Sequence, residues 1–409
     1  MKKSKLVILL CLSSQLCLSQ TQIKTMFYNL LNFSSAPPSD RLEHLNSILS
    51  SYQPDLFMVS EIESPKDAQA ILDKSFSYTS AKIVQSPFLY NTSGPSYILQ
   101  HLYYDDDKFT LNYTDQIKTN TRSINHYNLK LNTSPDVFLD VFIAHFKASS
   151  GEFNENERRY EAEQLIDYLK TFEANSNIIL AGDFNMYSSN EKAFEILLNG
   201  TEAFNFKDPI NTLGNWNNNA EFNAVHTQST RISNSQFEDY GAGGGLDDRF
   251  DLMLISDAIH SNTQSISYVE DTYQAWGNNA NCFNNNINSM DCGGKFSSGL
   301  REALYQMSDH LPVVMTLEID HTFLSLNDVG NSNFLSFPQG NMITADLELN
   351  FSLDLLGNRV SIFNQIGQEV VHFKVLQREL SIDFSNFATG LYYIKVDDLN
   401  EIEKFYKLN

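Results

Sequence analysis

The chain has 409 residues, 42% of them hydrophobic, enough for two or three domains with sizeable cores. Its 50 acidic against 28 basic side chains leave a net charge of −22, which excludes a broad basic surface as the means of holding nucleic acid. Any grip on a phosphate must then be local, through a few Arg or Lys side chains and bound cations.

Residues 1–19 read as a signal peptide. Lys2, Lys3 and Lys5 supply its positive start, Leu6 to Leu12 its apolar stretch, and small Cys17 and Ser19 precede a cut ahead of Gln20. That stretch is too short to span a bilayer and no later segment reaches about 18 apolar residues, so no integral membrane segment is expected. Neither Cys11 nor Cys17 has the small preceding residue of a lipid-modified cysteine. Cys282 and Cys292 remain after processing, separated by an Asn-rich loop, and an oxidising compartment predicts a bridge between them.

Met26 to Asn29 reads as an apolar strand. A helix is expected from Asp40, as N-cap, to Ser51, with Leu42, Leu45, Ile48 and Leu49 on one face and Pro54 as its stop. Leu56 to Ile62 follows as a strand carrying Glu61 near its end. The order helix, polar loop, strand, acid returns between Arg159 and Asp183, and two such units point to a layered α/β core. Tyr97 to Tyr104, Lys108 to Tyr113 and Val137 to Ala144 are further strands, the last delivering His145.

Ile178 to Ala181 is too short an apolar run for a helix and suits a strand buried on both faces. Gly182 is expected to let the backbone turn. Asp183 and Asn185, two apart, point the same way in an extended segment. Residues 211–248 read as long loops, and Arg249 to Ser256 as a strand with Asp251 inside it. Residues 272–300 form the bridged insertion, and Val313 to Ile319 the last strand of this body. A linker at 320–335 leads to a small all-β module at 336–409.

Six strand ends or adjoining loops thus carry polar residues: Asn29, Glu61, His145, Asp183 with Asn185, Asp251, and Asp309 with His310. One Asp or Asn after a strand is an ordinary turn residue; six in order call for another explanation. Asp251 sits between Phe250 and Leu252, and an unpaired carboxylate there is costly to bury. It needs a partner, and a histidine can be oriented by such an acid.

The set FYNLLNF, SEIE, IAHFKAS, LAGDFN, DDRFDLMLIS and SDHLPV resembles, in that order, the endonuclease/exonuclease/phosphatase superfamily, which includes pancreatic-type deoxyribonucleases and exported bacterial nucleases. The resemblance covers about residues 22–319, within a catalytic domain at 20–319. It implies an α/β fold of two packed mixed β-sheets flanked by helices in four layers, with the motifs on one edge. Roles carried over make Glu61 the main Mg²⁺ carboxylate (Mn²⁺ or Ca²⁺ being alternatives) with Asn29 beside it, and Asp309 the holder of a second cation. Asp183 and Asn185 would position or deprotonate the attacking water, Asp251 would orient His310, and His310 would contact the phosphate or act as base. His145 would stabilise or protonate the departing oxygen. Lys147, Arg158 and Arg159 are candidate phosphate partners, the arginines being equally well explained as a solvated helix face. The pancreatic-type enzymes pair the histidine matching His145 with a glutamate near Tyr97 or Ile98, and this chain has none there.

VSIFNQIGQEV, FSNFATGLYYIKV and the final KFYKL resemble the type A sorting domain of the type IX secretion system. The resemblance covers residues 336–409 and implies a β-sandwich that addresses the chain to that machinery, hence a secreted or cell-surface protein. A sandwich that binds a polymer or surface is the other reading. For the whole chain the expected function is a secreted, monomeric, metal-dependent nuclease acting on DNA, RNA or both. Lipid or sugar phosphates on the same scaffold, and a non-catalytic surface protein, are the alternatives.

Overall fold

The apolar run around Met26 belongs to a longer strand than its hydrophobicity alone suggests, β1 (Thr21–Phe33), because its polar end at Asn29 is itself buried. The computed structural model describes residues 21–133, 136–173, 175–200, 204–319, 335–338, 341–352, 355–397 and 402–408. The expected signal peptide and all but the last residue of the expected linker lie outside them. The chain divides into two compact units, Met1–His321 and Thr322–Asn409.

In the first unit β1 is followed by α1 (Arg41–Tyr52), β2 (Leu56–Ile62), α2 (Pro65–Ser75), β3 (Ile83–Gln85), β4 (Leu99–Asp105), β5 (Phe109–Ile117) and β6 (Ile124–Leu131). Then come β7 (Val137–His145), α3 (Glu152–Leu169), β8 (Ile178–Asp183), α4 (Lys192–Asn199), β9 (Phe206–Lys207) and β10 (Asp251–Ser256). The unit closes with α5 (Asp257–His260), β11 (Ile266–Tyr268), β12 (Gln274–Ala275), α6 (Ser298–Met307) and β13 (Val313–Ile319). One sheet runs β11-β13-β1-β2-β4-β3, with β12 also on β13; the other runs β5-β6-β7-β8-β10-β9. Both are mixed, since β1 and β2 run parallel, as do β7 and β8, among antiparallel neighbours.

Strand alternation sorts the side chains into layers. Met26, Tyr28 and Leu30 of β1 pack with Leu45, Ile48 and Leu49 of α1, Ile71 of α2 and Leu304 of α6. Phe142, Leu180 and Leu252 of the second sheet pack against Leu165 of α3 and Leu197 of α4. The opposite faces carry Phe27, Val141, Ile143, Ile179 and Ile255, all fully buried. They meet between the sheets, where Thr25 Oγ1 lies 3.7 Å from Met253 Sδ. The result is helix, sheet, sheet, helix, the four layers expected.

Three local features depart from expectation. Asp40 makes no capping bond, and α1 instead ends on left-handed Gln53, just before Pro54. Helix α6 starts in the last three residues of the expected insertion and runs on to Met307; Ser297 caps it by accepting from the Leu300 N–H. Gly182 does not turn the chain but lies inside β8, where a Cβ would stand 2.4 Å from Ala144 O of neighbouring β7.

The second unit holds β14 (Leu335–Ser336), β15 (Met342–Ile343), β16 (Asp346–Phe351), β17 (Arg359–Asn364), β18 (Glu369–Lys374), β19 (Glu379–Asp383), β20 (Gly390–Val396) and β21 (Ile402–Lys407). They form two sheets, β14-β16-β19 and β15-β21-β20-β17-β18. Their apolar faces enclose one core of Leu347, Leu349, Val360, Ile362, Ile394 and Phe405.

Candidate active site

The register of the second sheet sets His145, Asp183 and Asp251 side by side across β7, β8 and β10. The facing sheet contributes Asn29 from β1, Glu61 from β2, and the Asp309–His310 pair just before β13. Pairing of β1 with β2 is irregular between Asn29 and Phe33, and that of β2 with β4 between Val59 and Ile62. Glu61 stands at φ 63°, a left-handed backbone that costs a non-glycine residue energy and that clusters at functional sites. Asn185 shares it, at φ 51°.

Asp251 Oδ2 accepts from His310 Nδ1 at 2.7 Å, and both side chains are buried. The ring is fixed further by Ser308, whose Oγ accepts from the His310 N–H and donates to Asn29 O. Asn29 Nδ2 donates to Asp183 Oδ2 at 3.0 Å and to Glu61 Oε1 at 3.1 Å. Asn32 N–H donates to Glu61 Oε2 at 2.8 Å. His145 Nε2 stands 3.5 Å from Asp183 Oδ2 and 3.9 Å from Glu61 Oε1, while its Nδ1 is buried without a partner. Among the described residues no carboxylate bonds to that nitrogen.

Burial pushes the Asp183 carboxyl up to about 7; His310 and the Asn29 hydrogen bond oppose the rise, while Asp251 and Glu61 reinforce it. Burial also holds His145 well below the usual imidazole range, with Arg122 and His310 adding to the effect. For His310 burial works the same way, but Asp251, Asp309 and Asp183 together outweigh it and raise the ring well above that range. Glu61, Asp183, Asp251 and Asp309 thus gather around His310 with Arg122 and Arg231 near, an acidic cluster that favours a cation.

Ligand atoms of Glu61, His145 and Asp183 all lie within 4.8 Å of one another, and this group can hold a divalent ion. It differs from the expected set of Asn29, Glu61 and Asp309. Asn29 turns its amide N–H groups into the site, while its Oδ1 accepts from Leu31 N–H at 3.0 Å. Asp309 Oδ1 stands 4.0 Å from His310 Nε2, while its Oδ2 accepts from Ala242 N–H at 2.7 Å and Gln228 Nε2 at 2.9 Å.

The three phosphate candidates part company. Lys147 is half-buried beside the site, its Nζ donating to Ala148 O. Arg158 is neither a solvated residue nor a phosphate contact. It is fully buried, pairing through Nε with Glu191 Oε2 at 2.7 Å and donating through Nη1 to Lys147 O and Ser149 O. Arg159 stays on the exposed face of α3, 3.6 Å from Glu163. Asn185 turns its Nδ2 toward Phe146 O at 3.4 Å, and its N–H donates to Asp183 Oδ1. The expected bridge between Cys282 and Cys292 is present.

Two residues of the site escaped sequence reasoning. Arg122 donates to His145 O at 2.8 Å and to Phe146 O at 2.6 Å, close enough to Glu61 and Asp183 for their charges to act on it. Gln228 Nε2 lies 2.6 Å from His310 Nε2. It lies in the stretch 211–248 read as long loops, where no helix or strand pattern marks a site residue.

Residues 338–408 match the family model of the secretion system C-terminal sorting domain. No curated protein matches the chain. Among solved structures the chain is similar to TDP2 of D. rerio complexed with single-strand DNA product, at 14% identity and TM-score 0.48, over 73% of this chain and 99% of that one. It is similar to the human Nocturnin catalytic domain with bound sulfate, at 13% identity and TM-score 0.46, over 74% and 98%. An endonuclease/exonuclease/phosphatase family protein from Bacteroides thetaiotaomicron resembles it at 15% identity and TM-score 0.45, over 74% and 99%.

Proposed function

We propose that the first unit is a divalent-metal-dependent phosphodiesterase acting on nucleic acid. The observation that carries this reading is one row of groups, Glu61–Asp183–His145 beside the 2.7 Å Asp251–His310 pair. Glu61, with Asp183 and His145 alongside, would hold Mg²⁺, or Mn²⁺ or Ca²⁺ in its place. Such an ion supplies Lewis-acid stabilisation of charge on the phosphoryl group.

The side chains supply the rest. Asp183 is placed to position the attacking water and take its proton. Asn185 helps to place that water. His310, kept charged and oriented by Asp251, presents its Nε2–H to a phosphate oxygen. Held neutral, His145 offers one ring lone pair to the cation group and keeps a single N–H, with which it can stabilise the departing oxygen. Lys147 and Arg122 are the nearest cations for a phosphate.

Nucleic acid is preferred to lipid because the bridged loop exposes one large apolar side chain, Met290, while Cys282, Ile287 and Cys292 are buried. The second unit directs export through the type IX machinery, giving a secreted or cell-surface enzyme. The test is product release from plasmid DNA, RNA, sphingomyelin and a nitrophenyl phosphate diester, assayed in parallel with Mg²⁺ and with EDTA. Cleavage of the nucleic acids and the small diester in Mg²⁺ alone supports the reading. Cleavage of sphingomyelin alone moves it to the lipid class.

A further inference from the structure

Three large aromatic side chains of the first unit stand exposed on segments that meet at one loop. Tyr90 is 65% exposed, Tyr97 82% and Phe153 71%. An exposed ring taken singly means nothing. These three are tied to a single loop that borders the site.

The loop is 118–123, and Arg122 at its end bonds to the carbonyls of His145 and Phe146. Tyr90 and Tyr97 bracket a segment anchored on either side of Arg122. Gly94 N–H and Asn91 Nδ2 donate to Thr121 O, while Asn91 Oδ1 accepts from Ser123 N–H. The approach is close: a Cβ on Gly94 would stand 2.7 Å from Asn120 O. Helix α3, which bears Phe153, meets the same loop. Asn120 Nδ2 donates to Glu157 Oε2 at 3.0 Å, and Glu157 lies four residues beyond Phe153 on the same helix face. Tyr90 is also backed by Phe88, ring centroids 5.3 Å apart, so its ring is held rather than trailing.

We propose that Tyr90, Tyr97 and Phe153 form a base-stacking rim that makes single-stranded nucleic acid the substrate. The inference rests on the phosphodiesterase reading above and narrows its substrate. Every base offers a π-face, but in a duplex those faces are already stacked on their neighbours. A chain of net charge −22 gains no long-range attraction for phosphates, so ring faces beside a local cation must supply the grip. The rim is unsuited to entering a bilayer. Its rings are separated by Asn91, Thr92, Ser93 and Ser96, and two of the three carry hydroxyls.

The test is fluorescence anisotropy of a labelled oligothymidylate of about a dozen residues, a length suited to a short stacking groove, binding the full chain in EDTA. A duplex of equal length and vesicles of phosphatidylcholine with sphingomyelin serve as the comparison probes. Tyr97→Ala and Phe153→Ala should each weaken oligothymidylate binding about five-fold or more. Tyr97→Trp should retain it, the duplex should bind more weakly, and hydrolysis of a nitrophenyl phosphate diester should be unchanged. Absence of oligothymidylate binding, or indifference to both alanine variants, overturns the rim, as does equal affinity for the duplex. Vesicle binding lost in Tyr97→Ala would assign the rim to lipid instead. Failure of the wild-type chain to hydrolyse any diester sinks the phosphodiesterase reading itself, a result distinct from all of these.

Discussion

Asp251 and His310 join two sheets: a carboxylate at the start of β10 accepts a 2.7 Å hydrogen bond from an imidazole at the threshold of β13. Asp251 is fully buried, and its second oxygen has no partner. The pair therefore bears on stability as well as rate. His310→Ala should cut turnover by several orders of magnitude and cost roughly 3–5 kcal/mol, because it strands the acid. Asp251→Asn should keep more stability yet lose much of the rate. In the double variant the rate should be barely below that of His310→Ala. Kinetics on a small phosphodiester, with thermal melts, would show it; losses that multiply independently would separate the two residues.

Asp183 makes stability depend on pH in an unusual direction. Its carboxyl is pushed up to about 7 in the folded chain, above the ordinary value of 3.8. Between those pH values the folded state holds the proton that the unfolded state has released, so stability falls as pH rises through that window. Asp248 and Glu161, both also pushed up to about 7 by burial, act in the same sense. Buried His101, His145 and His226, held below the usual imidazole range, act in the opposite sense below about pH 6.5, so the metal-free chain should melt lower at pH 7.5 than at pH 6.5. Asp183→Asn should shrink that difference while abolishing turnover. Melting curves in EDTA across this range check it, and a rise in Tm with pH would contradict it.

Arg158 and Arg159 are neighbours in sequence with opposite fates. Arg158→Ala strands Glu191 and frees the 147–149 loop, and should cost roughly 3–5 kcal/mol. Arg159→Ala should stay within about 0.5 kcal/mol of wild type, as exposed pairs do. Denaturant melts of the two variants decide the matter.

The Cys282–Cys292 bridge closes a loop of sequence separation 10. Such closure contributes about 2–3 kcal/mol. The loop also packs on the segment bearing Gln228, through Ile287 N–H to Thr230 O and Ile232 N–H to Asn286 Oδ1. Reduction should therefore lower Tm and expose two thiols. Two thiols titrating in the unreduced folded chain would contradict the bridge.

What could be read from the residues follows from local physics. Asp251 announced its partner because Phe250 and Leu252 leave a carboxylate nowhere else to go. GDFN showed a strand by its apolar run, although Gly182 serves close strand packing rather than a turn. The strand β6 stayed hidden because buried polar residues broke its pattern. His126 lies there between Asp140 and Tyr168 and stacks on Phe142, satisfied by partners distant in sequence. Arg122 and Gln228 were missed for a related reason, since the fold alone brings these loop residues to the histidines. The cation group of Glu61, His145 and Asp183 shares only Glu61 with the expected ligands, and spacing that places Asn29 beside Glu61 does not say which side of its amide faces inward.

The most direct test of the account is hydrolysis of a nitrophenyl phosphate diester by the full chain with Mg²⁺, with EDTA, and with Glu61→Gln. Turnover in Mg²⁺ should vanish in EDTA and return when Mg²⁺ is added in excess. Glu61→Gln should lose most of that turnover at moderate Mg²⁺ and bind Mn²⁺ more weakly, while melting as a folded protein. Full turnover in EDTA, or an unaffected Glu61→Gln, would contradict the account.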